Sequence, residues 1–275
     1  MDTEQNALAA VAEWPVEVAA VGVTSASATL ASTGPVDRAF SLASVTKLLT
    51  AMAVLVAVEE ETLGLDDPAG PEGSTVAHLL AHASGLGPDG GRLAKVGAKR
   101  IYSNAGFEVL GEVLAERSKM PFETYVTEGV LGPLGMTGTR MGHPAYGARA
   151  PAEDLLRLGR ELLSPRLLSE ATLARATAVA FPGLDGVVPG FGRQDPNDWG
   201  LGFEVRGAKD PHWTGRRNSP RTFGHFGKSG TFLWVDPDAE LACACVTNRQ
   251  FEAWATEAWP ALSDQVLASF AKGRT

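Results

Sequence analysis

Strand-forming stretches stand at the two ends of this chain, and helical ones fill its middle. Near the start, Val16 to Val23 and Ser27 to Ala31 carry β-branched and small residues between turn signals. Near the end, Leu201 to Val205, Phe223 to His225, Thr231 to Val235 and Leu241 to Thr247 are short and turn-separated, and they read as an antiparallel meander. Between them the apolar spacing predicts helices over Ser41 to Val58, Val76 to His82, Asn104 to Lys119, Phe122 to Val130, Ala152 to Leu163 and Ser169 to Val179. A short helix over residues 2–13 and a long one over Ala253 to Ala271 complete the set. The latter has Trp254, Trp259, Leu262 and Val266 for its buried face. Strands at both ends predict one antiparallel sheet built from both termini and flanked by helices, an α/β (α+β) fold with a mainly helical subdomain inserted into it. Residues 1–65 and 195–275 would form the sheet part and 66–194 the insert, within one domain overall and with the site at their junction.

Length and charge narrow the classes. At roughly 150 residues per domain, 275 residues make one large domain or two intertwined ones. Lys plus Arg is 24 against 32 Asp plus Glu, a net charge of −8, which argues against a nucleic-acid or anionic-lipid surface. The apolar run Leu48 to Val58 falls short of the roughly 20 residues a membrane span needs, so it reads as a buried helix. The first residues are acidic, without the basic region of a secretory signal. Cys243 and Cys245, two apart in a strand, share one face and read as buried free thiols. These features predict a soluble, cytoplasmic protein with a small-molecule partner and no nucleic-acid or membrane partner; the oligomeric state stays open.

Three stretches could carry chemistry. In Phe40 to Leu48, Ser44 and Lys47 are three apart, which on a helix sets them on one face about 5–6 Å apart at Cβ. A lysine acting on a serine hydroxyl needs that closeness, and burial among apolar neighbours lowers its pKa. Ser44 near a helix N-terminus also faces the positive end of the dipole. In Ile101-Tyr102-Ser103-Asn104, Ser103 or Asn104 could simply cap the helix that follows. Alternatively, Tyr102 would move protons and Asn104 would hold a substrate carbonyl or Lys47. In Phe223 to Thr231, glycines are spaced through a strand so that a ligand could lie against bare backbone, with a His or Lys beside it.

The order Ser44-x-x-Lys47, then Tyr102-Ser103-Asn104, then a His/Lys-x-Gly strand resembles the serine β-lactamase and penicillin-binding-protein superfamily. The stretches Leu65 to Asp67, His78 to Leu86, Pro133 to Met136, Glu153 to Leu155, Trp199 to Phe203 and Gly224 to Asn248 are closest to its class C-like branch of esterases and D-aminopeptidases. The resemblance runs in order through nearly the whole chain. It implies that Ser44 is acylated, that Lys47 is the general base, that Tyr102 is the second proton-transfer group, and that Asn104 binds a substrate carbonyl. Lys228-Ser229-Gly230 resembles the Lys-Thr-Gly box of lactamases, whereas in the branch's Gly-His-x-Gly register the third box is His225-Phe226-Gly227 and Lys228 follows it; the branch register is the one taken here, with the role open between His225 and Lys228. The oxyanion hole would be the N–H groups of Ser44 and Lys228. A histidine in place of the lactamase lysine, partly charged at neutral pH, favours neutral esters or amides. The implied activity is hydrolysis of small carboxylic esters through an acyl-enzyme, with lactam opening, D-amino-acid peptide hydrolysis and acyl transfer as alternatives in the same site. A protein that acylates once and serves as a sensor is the other class. No metal or cofactor is called for.

Other signals fail on inspection. His78 and His82 sit at i, i+4, but Leu79 stands where a zinc protease needs Glu, and the resemblance makes His82 a loop anchor. Gly85 to Gly90 fits G-x-G-x-x-G but follows a helix and carries Pro88. Gly227-Lys228-Ser229 lacks the first glycine of a phosphate loop, with Thr222 in its place. There is no Gly-x-Ser-x-Gly elbow. Trp213, Arg216 and Arg217 read as a pocket rim or a solvated loop.

Overall fold

A computed structural model describes residues 7–271. Ten strands are present among them: β1 (Ala19–Thr24), β2 (Thr29–Thr33), β3 (Phe40–Ser41), β4 (Arg149–Ala150), β5 (Gly186–Val188), β6 (Gly192–Gln194), β7 (Glu204–Val205), β8 (Phe223–Gly227), β9 (Thr231–Asp236) and β10 (Leu241–Thr247). The central sheet has the order β2-β1-β10-β9-β8-β7, with every neighbouring pair antiparallel. The amino-terminal hairpin therefore adds to the carboxy-terminal meander through β1 and β10, from Ala19 opposite Thr247 to Thr24 opposite Ala242. The main helices are α1 (Thr46–Glu59), α2 (Val76–Leu80), α3 (Asn104–Ser118), α4 (Phe122–Val126), α5 (Ala152–Leu163), α6 (Glu170–Thr177) and α7 (Ala253–Phe270). Among the described residues no helix is long and apolar enough to cross a membrane.

The sheet is covered on both sides, and the period-2 alternation of its strands feeds two cores. Along β10, Ala242, Ala244 and Val246 join the core that contains α1 and α5, while Leu241, Cys243 and Cys245 join the one built on α7 with Trp259, Leu262 and Val266. Both cysteines are buried and free, and burial pushes their thiols up. Small residues bring α5 close to the sheet. A Cβ on Gly159 would stand 2.9 Å from that of Ala242, and one on Gly22 would meet Leu156 at 2.5 Å.

The structure departs from the sequence expectations in five places. The helix expected from Ser41 opens only at Thr46. Phe40–Ser41 is instead paired with β4, and Ala43–Val45 forms a 3₁₀ turn, because Leu42 N–H donates to Ala148 O at 2.9 Å and Ala43 turns through φ +44°. The strand expected over Leu201 to Val205 shrinks to Glu204–Val205, since Gly202 has φ +92° and its N–H turns to Leu80 O. The glycine- and proline-rich region after Gly183 holds the β5–β6 hairpin, whose three-residue strands are too short to show alternation. Trp213 is neither rim nor solvated: it is 1% exposed in the α7 core, and its indole N–H donates to Glu204 Oε2 at 2.5 Å. The expected helix over residues 2–13 survives as a 3₁₀ turn over Ala9–Glu13, and residues 2–6 lie outside the described chain.

Candidate active site

Ser44 is half-buried in the 3₁₀ turn that leads directly into α1. Three elements hold that turn. Thr231 Oγ1 on β9 donates to Leu42 O at 2.9 Å. Leu42 N–H donates to Ala148 O, and Ala148 N–H returns to Thr46 Oγ1 at 3.0 Å. Gly227 on β8 lies so close that a Cβ there would stand 2.4 Å from Leu42 O and 3.2 Å from the Cβ of Ala43. The glycine spacing of the third stretch is thus explained by backbone contact with the Ser44 turn.

Lys47, one helical turn on, is completely buried. Its Nζ donates to Asn104 Oδ1 at 2.8 Å and to Ala145 O at 2.9 Å, and it lies 4.7 Å from the ring centroid of Tyr102 and 5.4 Å from that of Phe107. Burial lowers its pKa from the usual lysine range to about 7, because the ammonium loses its water without gaining a carboxylate. Close to neutral pH a large fraction is therefore free amine.

Tyr102 precedes α3. Ser103 caps that helix, its Oγ accepting from Gly106 N–H at 3.0 Å and donating to Gly87 O at 2.7 Å, so the capping role falls to Ser103 and leaves Asn104 free to face Lys47. The Tyr102 phenol is pushed up by burial; the Ser44 hydroxyl beside it acts in the opposite sense. The two do not close into a full hydrogen bond, and the phenol oxygen has no partner among the described residues. Its ring is fixed by His82 at 4.6 Å, Trp199 at 6.1 Å and His225 at 5.8 Å between centroids.

Period 2 along β8 points His225 and Gly227 the same way, while Phe226 enters the α7 core. His225 is 3% exposed. Its Nδ1 donates to Phe226 O at 2.6 Å, so in the neutral ring Nε2 is a lone-pair nitrogen, and it is buried without a partner. Burial, with the nearby Lys47 acting in the same sense, lowers its pKa to about 3. The partly charged histidine expected at neutral pH is therefore neutral here. Lys228 stands in the β8–β9 turn, its backbone next to Gly227 and its side chain exposed.

Ser44, Lys47, Tyr102, Asn104, His225 and Gly227 thus converge, with the Lys228 backbone following directly; its side chain faces solvent. Sequence reasoning missed the stretch from Pro144 to Ala150. It splints the first two turns of α1 by accepting from Lys47 and Thr50 and by pairing as β4. Its contribution is made by carbonyl groups, which every residue type carries, so no side-chain pattern advertises it. His82 and Trp199 were visible but had no assigned contact with Tyr102. His82 accepts from Ser103 N–H through Nδ1, and burial holds it neutral. His78 faces away to Thr75 Oγ1 and Phe181.

A family model described as Beta-lactamase matches residues 7–267. The crystal structure of a beta-lactamase from Mycobacterium bovis matches with TM-score 0.95 at 52% identity, over 97% of this chain and 100% of that one. EstCE1, described as a hydrolase with promiscuous acyltransferase activity, shares the fold with TM-score 0.79 at 19% identity, over 97% and 98% of the two chains. A Salmonella newport (strain SL254) protein provisionally named a D-alanyl-D-alanine carboxypeptidase is 25% identical over 198 residues, 56% of this chain and 46% of that protein. The chain thus spans about half the length of the curated relatives it matches.

Proposed function

This chain belongs to the beta-lactamase family of serine hydrolases, and from that premise we propose that it hydrolyses small carboxylic esters through an acyl-enzyme on Ser44. The observation that carries the reading is the buried Lys47 amine, lowered to about 7, one helical turn from Ser44. In its free form Lys47 takes the Ser44 proton as Oγ adds to the substrate carbonyl. The oxygen of the tetrahedral intermediate accepts from the N–H groups of Ser44 and Lys228. The C–O bond to the alcohol breaks, and the proton held by Lys47 passes, by way of Tyr102, to the departing oxygen. Water then adds to the acyl carbonyl and gives its proton back along the same path. The second intermediate expels Ser44 Oγ, which regains a proton, and the carboxylic acid leaves.

The ester preference rests on His225. A neutral imidazole supplies no fixed positive charge for a substrate carboxylate, so the site suits neutral carbonyl compounds. One observation favours a second reading, lactam opening: the 52% identity to a Mycobacterium bovis protein described as a beta-lactamase. A fluorophosphonate probe should label the wild type and fail on Ser44→Ala; labelling retained at another serine removes Ser44 from its role. Turnover of p-nitrophenyl butyrate, nitrocefin and D-Ala-p-nitroanilide then separates the substrate classes, with the ester fastest. A stable single adduct in intact-mass spectra would instead mark a sensor.

A further inference from the structure

We propose that the cleft walled by Pro88, Leu93, Ile101, Tyr102, Val187 and Pro189 receives the apolar acyl chain of the substrate. Its volume is about 500 Å³, within the range of ligand clefts. Two aliphatic side chains from separate segments stand open on it: Leu93 is 67% exposed and Val187 59% exposed. A single exposed aliphatic residue is ordinary. Two that line one concavity with Tyr102 form an open apolar wall.

The cleft is built in the folded state. Arg100 N–H donates to Asp185 O at 2.9 Å, and Arg100 bridges to Gly186 at the base of the β5–β6 hairpin. A Cβ on Gly186 would stand 2.4 Å from Arg100 O, so only glycine lets the two segments approach this closely. Arg193 and Asp185 pair at 3.0 Å within the lining. The cleft also runs into the site described above. Tyr102 is one of its walls, and the Pro88 carbonyl accepts the backbone N–H groups of Asn104 at 3.0 Å and Ala105 at 3.1 Å. Through Tyr102 the cleft adjoins the site, and we assign it to the acyl side of the ester. The inference rests on the ester reading for that orientation, and on the geometry of the two loops for the pocket itself.

A series of p-nitrophenyl esters from acetate to octanoate tests it. Each added methylene that enters the cleft should raise kcat/KM about two- to fourfold, the upper figure being full burial. The double variant Leu93→Ser/Val187→Ser changes only open side chains, so it should fold normally. It should flatten that gain towards unity. A wild-type series without gain, or a gain that the double variant keeps, overturns the proposal. The same chain lengths, added as neutral n-alkanamides to Ser44→Ala in a calorimetric titration, read the pocket without chemistry. Affinity should tighten with length and lose that trend when the two serines are added to Ser44→Ala; a flat series overturns the pocket. If no ester turns over and Ser44 is not acylated, the ester reading fails, and the alkanamide titration still decides on the cleft.

Discussion

Lys47 Nζ and Asn104 Oδ1 meet at 2.8 Å, and the same nitrogen reaches Ala145 O at 2.9 Å. A free amine has two N–H groups and one lone pair, whereas an ammonium has three N–H groups. The two acceptors satisfy the free amine and leave its lone pair unengaged, the lone pair to which the proposed mechanism gives the Ser44 proton. With the pKa lowered to about 7 by burial, kcat/KM should climb as pH rises through about 7, because the deprotonated form is the base. Asn104→Asp introduces a negative charge at the same distance, which favours the ammonium and should move that limb upward by about one to three pH units. A pH–rate profile checks it; an unmoved limb in the variant would show that another group sets it.

Tyr102→Phe should separate activity from stability. The ring is gripped by His82, Trp199 and His225, and phenylalanine keeps those contacts. The phenol oxygen is buried without a partner, so its removal should leave the melting temperature unchanged or slightly higher. Loss of a proton-transfer group should lower kcat by about 10²–10⁴-fold. A variant that melts early, or one with full kcat, contradicts the assignment of Tyr102.

The two-ended sheet could be read from the chain because each strand of β8 to β10 is short, apolar and bounded by turns, and because Ala152 to Leu163 carries the helical period without a break. The start of α1 was not legible. Ser41 and Leu42 fit a helix by composition, and they are drawn out of it by Ala148 and Arg149, more than 100 positions away. The β5–β6 hairpin was hidden for the opposite reason: strands of three residues hold too little pattern. In the site, residues with distinctive side chains were recognisable, and the Ala145 carbonyl was not. The charge on His225 escaped too, since burial by Trp199 and Tyr102 follows from packing that spacing alone does not encode.

Gly227→Ala should displace the Ser44 turn. Gly227 has no left-handed backbone, so the obstacle is space: the new methyl would sit 2.4 Å from Leu42 O and 2.7 Å from Thr231 Oγ1. Either β8 or the Ala43–Ser44 turn must give way. A shift of about 1 Å at a reacting group costs on the order of 10²-fold, and overpacking costs about 1–3 kcal/mol. Ester turnover and thermal unfolding measured together test this; wild-type values in both would mean that strand and turn are not in contact.

Glu204→Gln should destabilise the protein through a charge that lies outside the reacting groups. Lys209 Nζ has three acceptors, Glu204 Oε1 at 3.0 Å, Asp198 O at 2.7 Å and Val205 O at 2.6 Å, the number an ammonium requires and one more than Lys47 has. Glu204 also accepts from Trp213 Nε1 and lies 3.2 Å from His212 Nε2, and both partners of the ion pair are essentially unexposed. Burial alone would raise the carboxyl, but Lys209 and His212 outweigh it and hold its pKa well below the usual carboxylate range. Burial pulls Lys209 down while Glu204 pulls it up, and the three acceptors argue for the charged form. Removing one charge leaves the other buried and uncompensated, at a cost of about 3–5 kcal/mol. Lys209→Met added to Glu204→Gln should recover part of that loss. The sign with pH follows from the lowered carboxyl: the pair's stabilisation is present above the unfolded carboxyl pKa of about 4.3. It is lost as pH falls from there through the folded value. Urea midpoints should therefore fall less steeply between pH 7 and about pH 3 in Glu204→Gln than in the wild type; an equal pH slope in both would mean that Glu204 is not ionised inside the fold.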